Sequence, residues 1–175
     1  MISRNSHVVR YSTVMIAVHW MTAFLIMAAW ITSEGGRHVV ANPPLLHFSF
    51  GLAVLVLVVP RLVLHFLGQT PPALDEHRPG LALAARIGHA VLYAFLIGLP
   101  LSGWYAASRL GVSVSFFGIG LPAIAAPVQG APGLIAEIHE NAGTVILYLA
   151  GLHVLMAGWH HFVFRDGTLR RMSPF

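Results

Sequence analysis

Four stretches of mainly apolar residues, about 13–32, 45–67, 81–107 and 134–164, are separated and flanked by segments that together hold most of the chain's prolines and charges. A helix needs roughly 20 apolar residues to cross a hydrocarbon core about 30 Å thick, and each stretch meets that length. A helix also satisfies its own backbone polar groups, which lipid cannot do for it. The pattern predicts an all-α integral membrane protein, a four-helix transmembrane bundle forming a single domain over residues 1–175. Arg4 and Arg10 precede the first span as they would in a signal peptide. The apolar run is too long for one, and "WITSEGG" is a poor small-residue cleavage site, so this span is expected to stay as an anchor. The loop "SRLGVSVSFFGIGLPAIAAPVQGAPG" is rich in Gly and Pro yet apolar, and is expected to cap the helix ends. Pro100 is expected to kink the third helix.

Composition supports the bilayer as solvent. Of 175 residues, 57% are hydrophobic and 9% charged, whereas a soluble domain carries about 25% charged residues. Charge then fixes an expected orientation. Arg4, Arg10, Arg61, Arg78, Arg86, Arg165, Arg170 and Arg171 fall on the side that holds both termini, against Arg37 and Arg109 on the other. The positive-inside rule places the termini in the cytoplasm. The basic balance is thus a signal about membrane orientation, and no nucleic-acid partner is inferred from it. The chain has no cysteine, which excludes disulfides, thiolate-held iron–sulfur clusters and covalently attached haem. Any metal centre must use histidine or oxygen ligands.

The histidines carry the candidate chemistry, because an imidazole within a span is costly unless it has a function or a partner. His139 and His153 are 14 residues apart. That is about 21 Å along a helix and about 40° off one face, so the two rings look inward at two depths. In the outer layer the partner is His47, since His38 belongs to the loop. In the inner layer both His19 and His89 lie at a suitable depth. His65, His160 and His161 sit nearer the inner edge. Two pairs of facing imidazoles in a four-helix bundle suit two b haems, each with two axial nitrogens on one iron. Gly51 and Gly143 lie one turn beyond His47 and His139, where a missing side chain lets a flat ring approach the backbone. A proton or metal relay is the competing use. It would call for mid-membrane acids, and the spans have none. Arg61 and Arg86 are expected mainly as positive-inside residues, with a propionate or quinone contact as their second role.

At these residues the chain resembles the prokaryotic cytochrome b561 family. The matching stretches are "VHW" at His19, "LLHFSFG" at His47, "RIGHAVLYAFLIGLPLSGW" around His89, "IHENAGTVILYLAGLHVLMAGWHHF" over the last span, and the tail "RDGTLRRM". The resemblance implies axial pairs His19/His153 on the cytoplasmic side and His47/His139 on the periplasmic side, in the bacterial inner membrane. His89 is then left for a propionate contact or a structural role. It also implies a quinone site near the inner haem, with His160 the first choice and His161 the second. The implied activity is electron transfer to ubiquinone from superoxide or another one-electron donor. The alternative is a di-haem membrane anchor that passes electrons between quinol and a separate redox partner, and a histidine-based transporter is the remote reading. As for the donor, the expected outer loops balance Arg37 and Arg109 against Glu34, Glu137 and Glu140, a poor field for attracting an anion.

Overall fold

The structure, a computed structural model, describes residues 10–33, 39–68, 71, 78–129 and 133–174. Arg4, Glu34, Arg37 and His38 lie outside the described residues. Among the described residues, four helices are long and apolar enough to cross a membrane. They are α1 (Thr13–Ile31), α2 (Leu45–Phe66), α3 (Pro79–Arg109) and α4 (Leu134–Trp159), with a π-helical turn, His160–Phe164, continuing α4.

Local chemistry sets the ends. The Ser12 side chain accepts from the Met15 N–H at 3.2 Å and caps α1, which satisfies one of its orphan donors. Pro79 opens α3, where a missing N–H is no loss. This helix therefore starts two residues before the apolar stretch that suggested it. At its far end Gly111 has φ 71°, the left-handed conformation that glycine takes without strain just past a helix. Pro60 and Pro100 both lie inside helices that continue past them.

The main contacts run from α1 to α2, α2 to α3 and α3 to α4. Midway along the bundle the spans meet in an apolar layer of Leu25, Val54, Val58, Leu96 and Ile146. Its position follows a seven-residue repeat. Val54 lies midway between His47 and Arg61, Leu96 between His89 and Gly103, and Ile146 between His139 and His153. Seven residues rise about 10 Å, so α2, α3 and α4 each turn inward at an outer, a middle and an inner level.

The loop after α3 forms the expected cap, and it contains an element that hydropathy did not suggest. A short antiparallel hairpin, β1 (Ser115–Phe116) and β2 (Ile119–Gly120), turns through Phe117 and Gly118, both at positive φ. It is fastened to α2 by Ser49, which is buried and accepts from the Phe117 N–H at 2.9 Å while its own hydroxyl reaches the Leu45 carbonyl. A second clasp joins Ser108 Oγ to the Ile124 N–H at 3.1 Å. Trp104 of α3 donates to the Pro122 carbonyl at 3.1 Å.

After the π-helical turn, Arg165 adopts a left-handed conformation and the chain folds back into α5 (Thr168–Met172). The start of α1 holds this tail. Tyr11 N–H donates to the Arg171 carbonyl, Trp20 Nε1 to the Met172 carbonyl at 2.8 Å, and Arg10 to the Ser173 carbonyl.

Replacing Ser49 by Ala should leave the Phe117 N–H without its partner, at a cost of about 1–3 kcal/mol. The expected readout is a lower thermal midpoint in detergent with faster amide exchange at the hairpin. Unchanged exchange there would contradict the clasp.

Candidate functional site

The outer pair comes together as the spacing suggested. The His47 and His139 rings face each other from α2 and α4 with centres 5.9 Å apart and planes at 88°. Each ring is held from behind by a neighbouring helix. His47 Nδ1 lies 2.8 Å from the Ala29 carbonyl of α1. His139 Nδ1 lies 3.0 Å from the Leu99 carbonyl of α3, with Ser102 Oγ at 3.2 Å. A carbonyl only accepts, so both Nδ1 atoms carry hydrogen and both Nε2 atoms keep a free lone pair. Between the helices opens a cavity of about 420 Å³ whose lining includes His47, Gly51, His139 and Gly143. That volume falls within the roughly 300–1,000 Å³ of cofactor-sized pockets.

The inner level holds a larger cluster. His153 of α4 lies with its ring centre 6.2 Å from that of His19 and 5.5 Å from that of His89. Arg61 enters from α2, where its guanidinium donates to His19 Nδ1 at 3.0 Å and to the Tyr93 hydroxyl at 3.1 Å. Arginine has donors only, so His19 accepts at Nδ1. Metal ligation through the other nitrogen of His19 therefore requires Arg61 to move away or the ring to give up its remaining proton. Arg86 is exposed on α3 and makes no hydrogen bond to these groups.

At the end of the last span, His160 and His161 part company. His160 Nδ1 pairs with Asp166 Oδ2 at 2.6 Å, and Asp166 Oδ1 accepts from the Thr168 N–H at 2.9 Å. His161 is half-buried against Phe162, with ring centres 4.8 Å apart. Sequence reasoning missed Asp166, Tyr93, Ser102 and Gly103. Tyr93 alone left a trace, one turn beyond His89 on the same face.

A family model described as prokaryotic cytochrome b561 matches residues 10–175. The chain belongs to the prokaryotic cytochrome b561 family. It is similar to the probable superoxide oxidase CybB of Yersinia pestis, with 31% identity over 169 residues covering 94% of this chain and 96% of that one. Two Escherichia coli K12 proteins are also similar. Cytochrome b561 homolog 2 is 29% identical over 173 residues, covering 93% of this chain and 90% of its own. Cytochrome b561 homolog 1 is 27% identical over 173 residues, with coverage of 94% and 97%. The family is one of membrane electron-transfer proteins that bind haem b.

The outer residues fit such a group. A metal–imidazole bond is about 2 Å and the ring centre lies about 1 Å further back, so two imidazoles on one iron stand about 6 Å apart. Each nitrogen that would face the metal is unprotonated, and a Cβ added at Gly51 or Gly143 would meet nothing within 4 Å. That leaves open space where a flat ring would lie. The inner rings have suitable separations, subject to the demand on Arg61.

The Asp166 carboxyl lies below its ordinary range. Burial alone would raise it, but hydrogen bonds from Thr168 and His160, together with the charge of His160, outweigh that effect. The contact is therefore fully present above the ordinary carboxylate pKa of about 3.9 and is lost as pH falls through the lowered value. A spin label on Leu169→Cys, in a chain with no native cysteine, should stay immobile from pH 7 down to the ordinary carboxylate pKa of about 3.9 and become mobile only at pH below it. Asp166→Asn should leave it mobile throughout. Identical label spectra in the two backgrounds would contradict this role for the carboxylate.

Proposed function

We propose that this chain carries electrons across the inner membrane from a one-electron donor on the periplasmic side, superoxide, to ubiquinone near the cytoplasmic side. The supporting observation is the pair of imidazole clusters at opposite ends of one bundle with an apolar layer between them. The positive-inside arginines favour cytoplasmic termini, and the proposal takes residues 1–175 as one four-helix domain. Membrane lipid is the surrounding solvent.

In this reading the chain holds two haem b, with axial pairs His47/His139 outside and His19/His153 inside. Haem b, when bound, supplies reversible one-electron chemistry to a protein whose side chains have none. The residues bind, orient and insulate. Ala29 and Leu99 carbonyls fix the outer imidazoles by their Nδ1–H groups. For a neutral His19 to serve as a ligand Arg61 would have to leave its Nδ1, and the guanidinium would then be available to a propionate or a quinone oxygen. His89 takes a similar second contact, and exposed Arg86 is the weaker one.

Two superoxide ions each give up one electron and leave as dioxygen. Ubiquinone takes both electrons and two protons from the cytoplasm. His160 is placed in the quinone site as proton donor and His161 as its neighbour. Asp166 holds His160 Nδ1, which leaves Nε2 to deliver the proton. The similarity to the probable superoxide oxidase of Yersinia pestis supports superoxide as donor.

One observation favours a second reading, in which the chain is a di-haem anchor that takes electrons from a separate redox partner. Glu137 and Glu140 line the outer cavity beside His139, and two carboxylates at that mouth would repel an anion.

Superoxide and ubiquinone supplied to the purified chain in detergent should give rapid haem reduction and then quinol. Inertness until a partner protein is added would favour the anchor. His153→Ala should retain about half the haem and form no quinol, and full retention would overturn the ligand assignment. His160→Ala should keep both haems and slow quinol formation by about a hundredfold, the smaller effect expected of a proton donor. An unchanged rate would remove it from the quinone site.

A further inference from the structure

Gly103 is the glycine of the outer level whose missing side chain is filled by another residue. A Cβ built there would stand 2.7 Å from His139 Cε1, 3.1 Å from Nδ1 and 3.2 Å from Nε2. At Gly51, Gly143 and Gly98 the same atom would meet nothing within 4 Å. The His139 imidazole thus lies with one side against the backbone of α3 at Gly103. Its edge is tied to the same helix one turn earlier, at the Leu99 carbonyl and the Ser102 hydroxyl. Ser102 is fixed in turn, since its Oγ–H donates to that carbonyl at 2.9 Å.

These contacts remove the freedom that a histidine otherwise has about its outer side-chain bond, where rotamers are broad. The orientation of the ring is therefore dictated by α3, although its backbone belongs to α4. Across the cavity His47 takes its orientation from α1 through Ala29. The outcome is a near-perpendicular pair at 88°, whereas His19 and His153 at the inner level lie at 54°.

We propose that Gly103, with the Leu99 carbonyl and Ser102, is the positioning element that holds the His139 ring perpendicular to that of His47. It thereby gives the outer centre an electronic character different from that of the inner one. The proposal rests on the reading of His47 and His139 as axial ligands. Each axial imidazole acts on one of the two iron d orbitals perpendicular to its plane. Parallel rings act on the same orbital and split the pair, while perpendicular rings act on both and leave the pair nearly degenerate. A nearly degenerate pair gives low-spin ferric iron an unusually anisotropic g tensor. It also removes the stabilisation of the oxidised state that the splitting provides, so the seat bears on the potential as well.

The test is low-temperature electron paramagnetic resonance of the oxidised, haem-loaded full chain, with a redox titration on the same samples. Wild type should show two low-spin signals, and the more anisotropic one should be lost in His139→Ala and kept in His153→Ala. Gly103→Ala forces the ring off its seat, so it should move that signal to clearly smaller maximum g and lower the potential of that haem. The inner signal should stay unchanged, and Gly98→Ala on the same helix should change neither. An unmoved outer signal in Gly103→Ala with the haem in place would overturn the proposal. Should Gly103→Ala lose the outer haem or fail to accumulate, Ser102→Ala decides instead. A shift in the same direction supports the seat, and an unchanged signal overturns it. If no low-spin signal depends on His139 at all, the ligand assignment beneath the proposal is what fails.

Discussion

An imidazole inside hydrocarbon must find a hydrogen-bond partner for one nitrogen before the other can be offered to anything else. In this bundle the partners come from neighbouring helices. α1 supplies the Ala29 carbonyl to His47 on α2, α3 supplies the Leu99 carbonyl to His139 on α4, and α2 supplies Arg61 to His19 on α1. These helix pairs, α1 with α2 and α3 with α4, also make the most extensive contacts. The close pairings are thus the ones that satisfy the rings from behind. The faces left between α2 and α4 stay apart, and there the outer cavity opens.

Between the two polar levels lies the layer of Leu25, Val54, Val58, Leu96 and Ile146. It is apolar and uncharged, and none of the chain's acidic residues falls at its depth in a span. Ions and protons have no relay there. Electrons need none when redox groups stand on either side. The seven-residue repeat that brings Ile146 midway between His139 and His153 is a packing rule, and on the proposed function a spacing between redox groups as well. Losing it in one helix would rotate a polar side chain into lipid or an apolar one into a site. The two ends nevertheless differ. The outer imidazoles are held by carbonyls that can only accept, while the inner level holds a guanidinium that can only donate, so metal binding through the other nitrogen of His19 requires Arg61 to move away or that ring to give up its remaining proton.

Hydropathy made the spans legible because a bilayer imposes one length on every crossing. The outer pair was legible because a 14-residue separation keeps two side chains on one face, and His47 had no rival at its depth. The inner partner was not, since His19 and His89 lie at similar depth and periodicity cannot rank them. The structure brings both rings close to His153. Arg61 read as one arginine among the eight on the cytoplasmic side, and only packing brings it to His19, 42 residues away in sequence. Asp166 escaped notice because the π-helical turn and the left-handed Arg165 fold it back onto His160. The seat at Gly103 depends on the register of α3 against α4, which no single helix encodes.

The claim that joins these features is that each level holds its own haem b between two histidines. The most direct measurement is a pyridine haemochrome determination on the purified, full-length chain, paired with its reduced-minus-oxidised spectrum. Two haem b per chain with low-spin spectra are expected. One haem per chain, or a folded and colourless protein, would contradict the account.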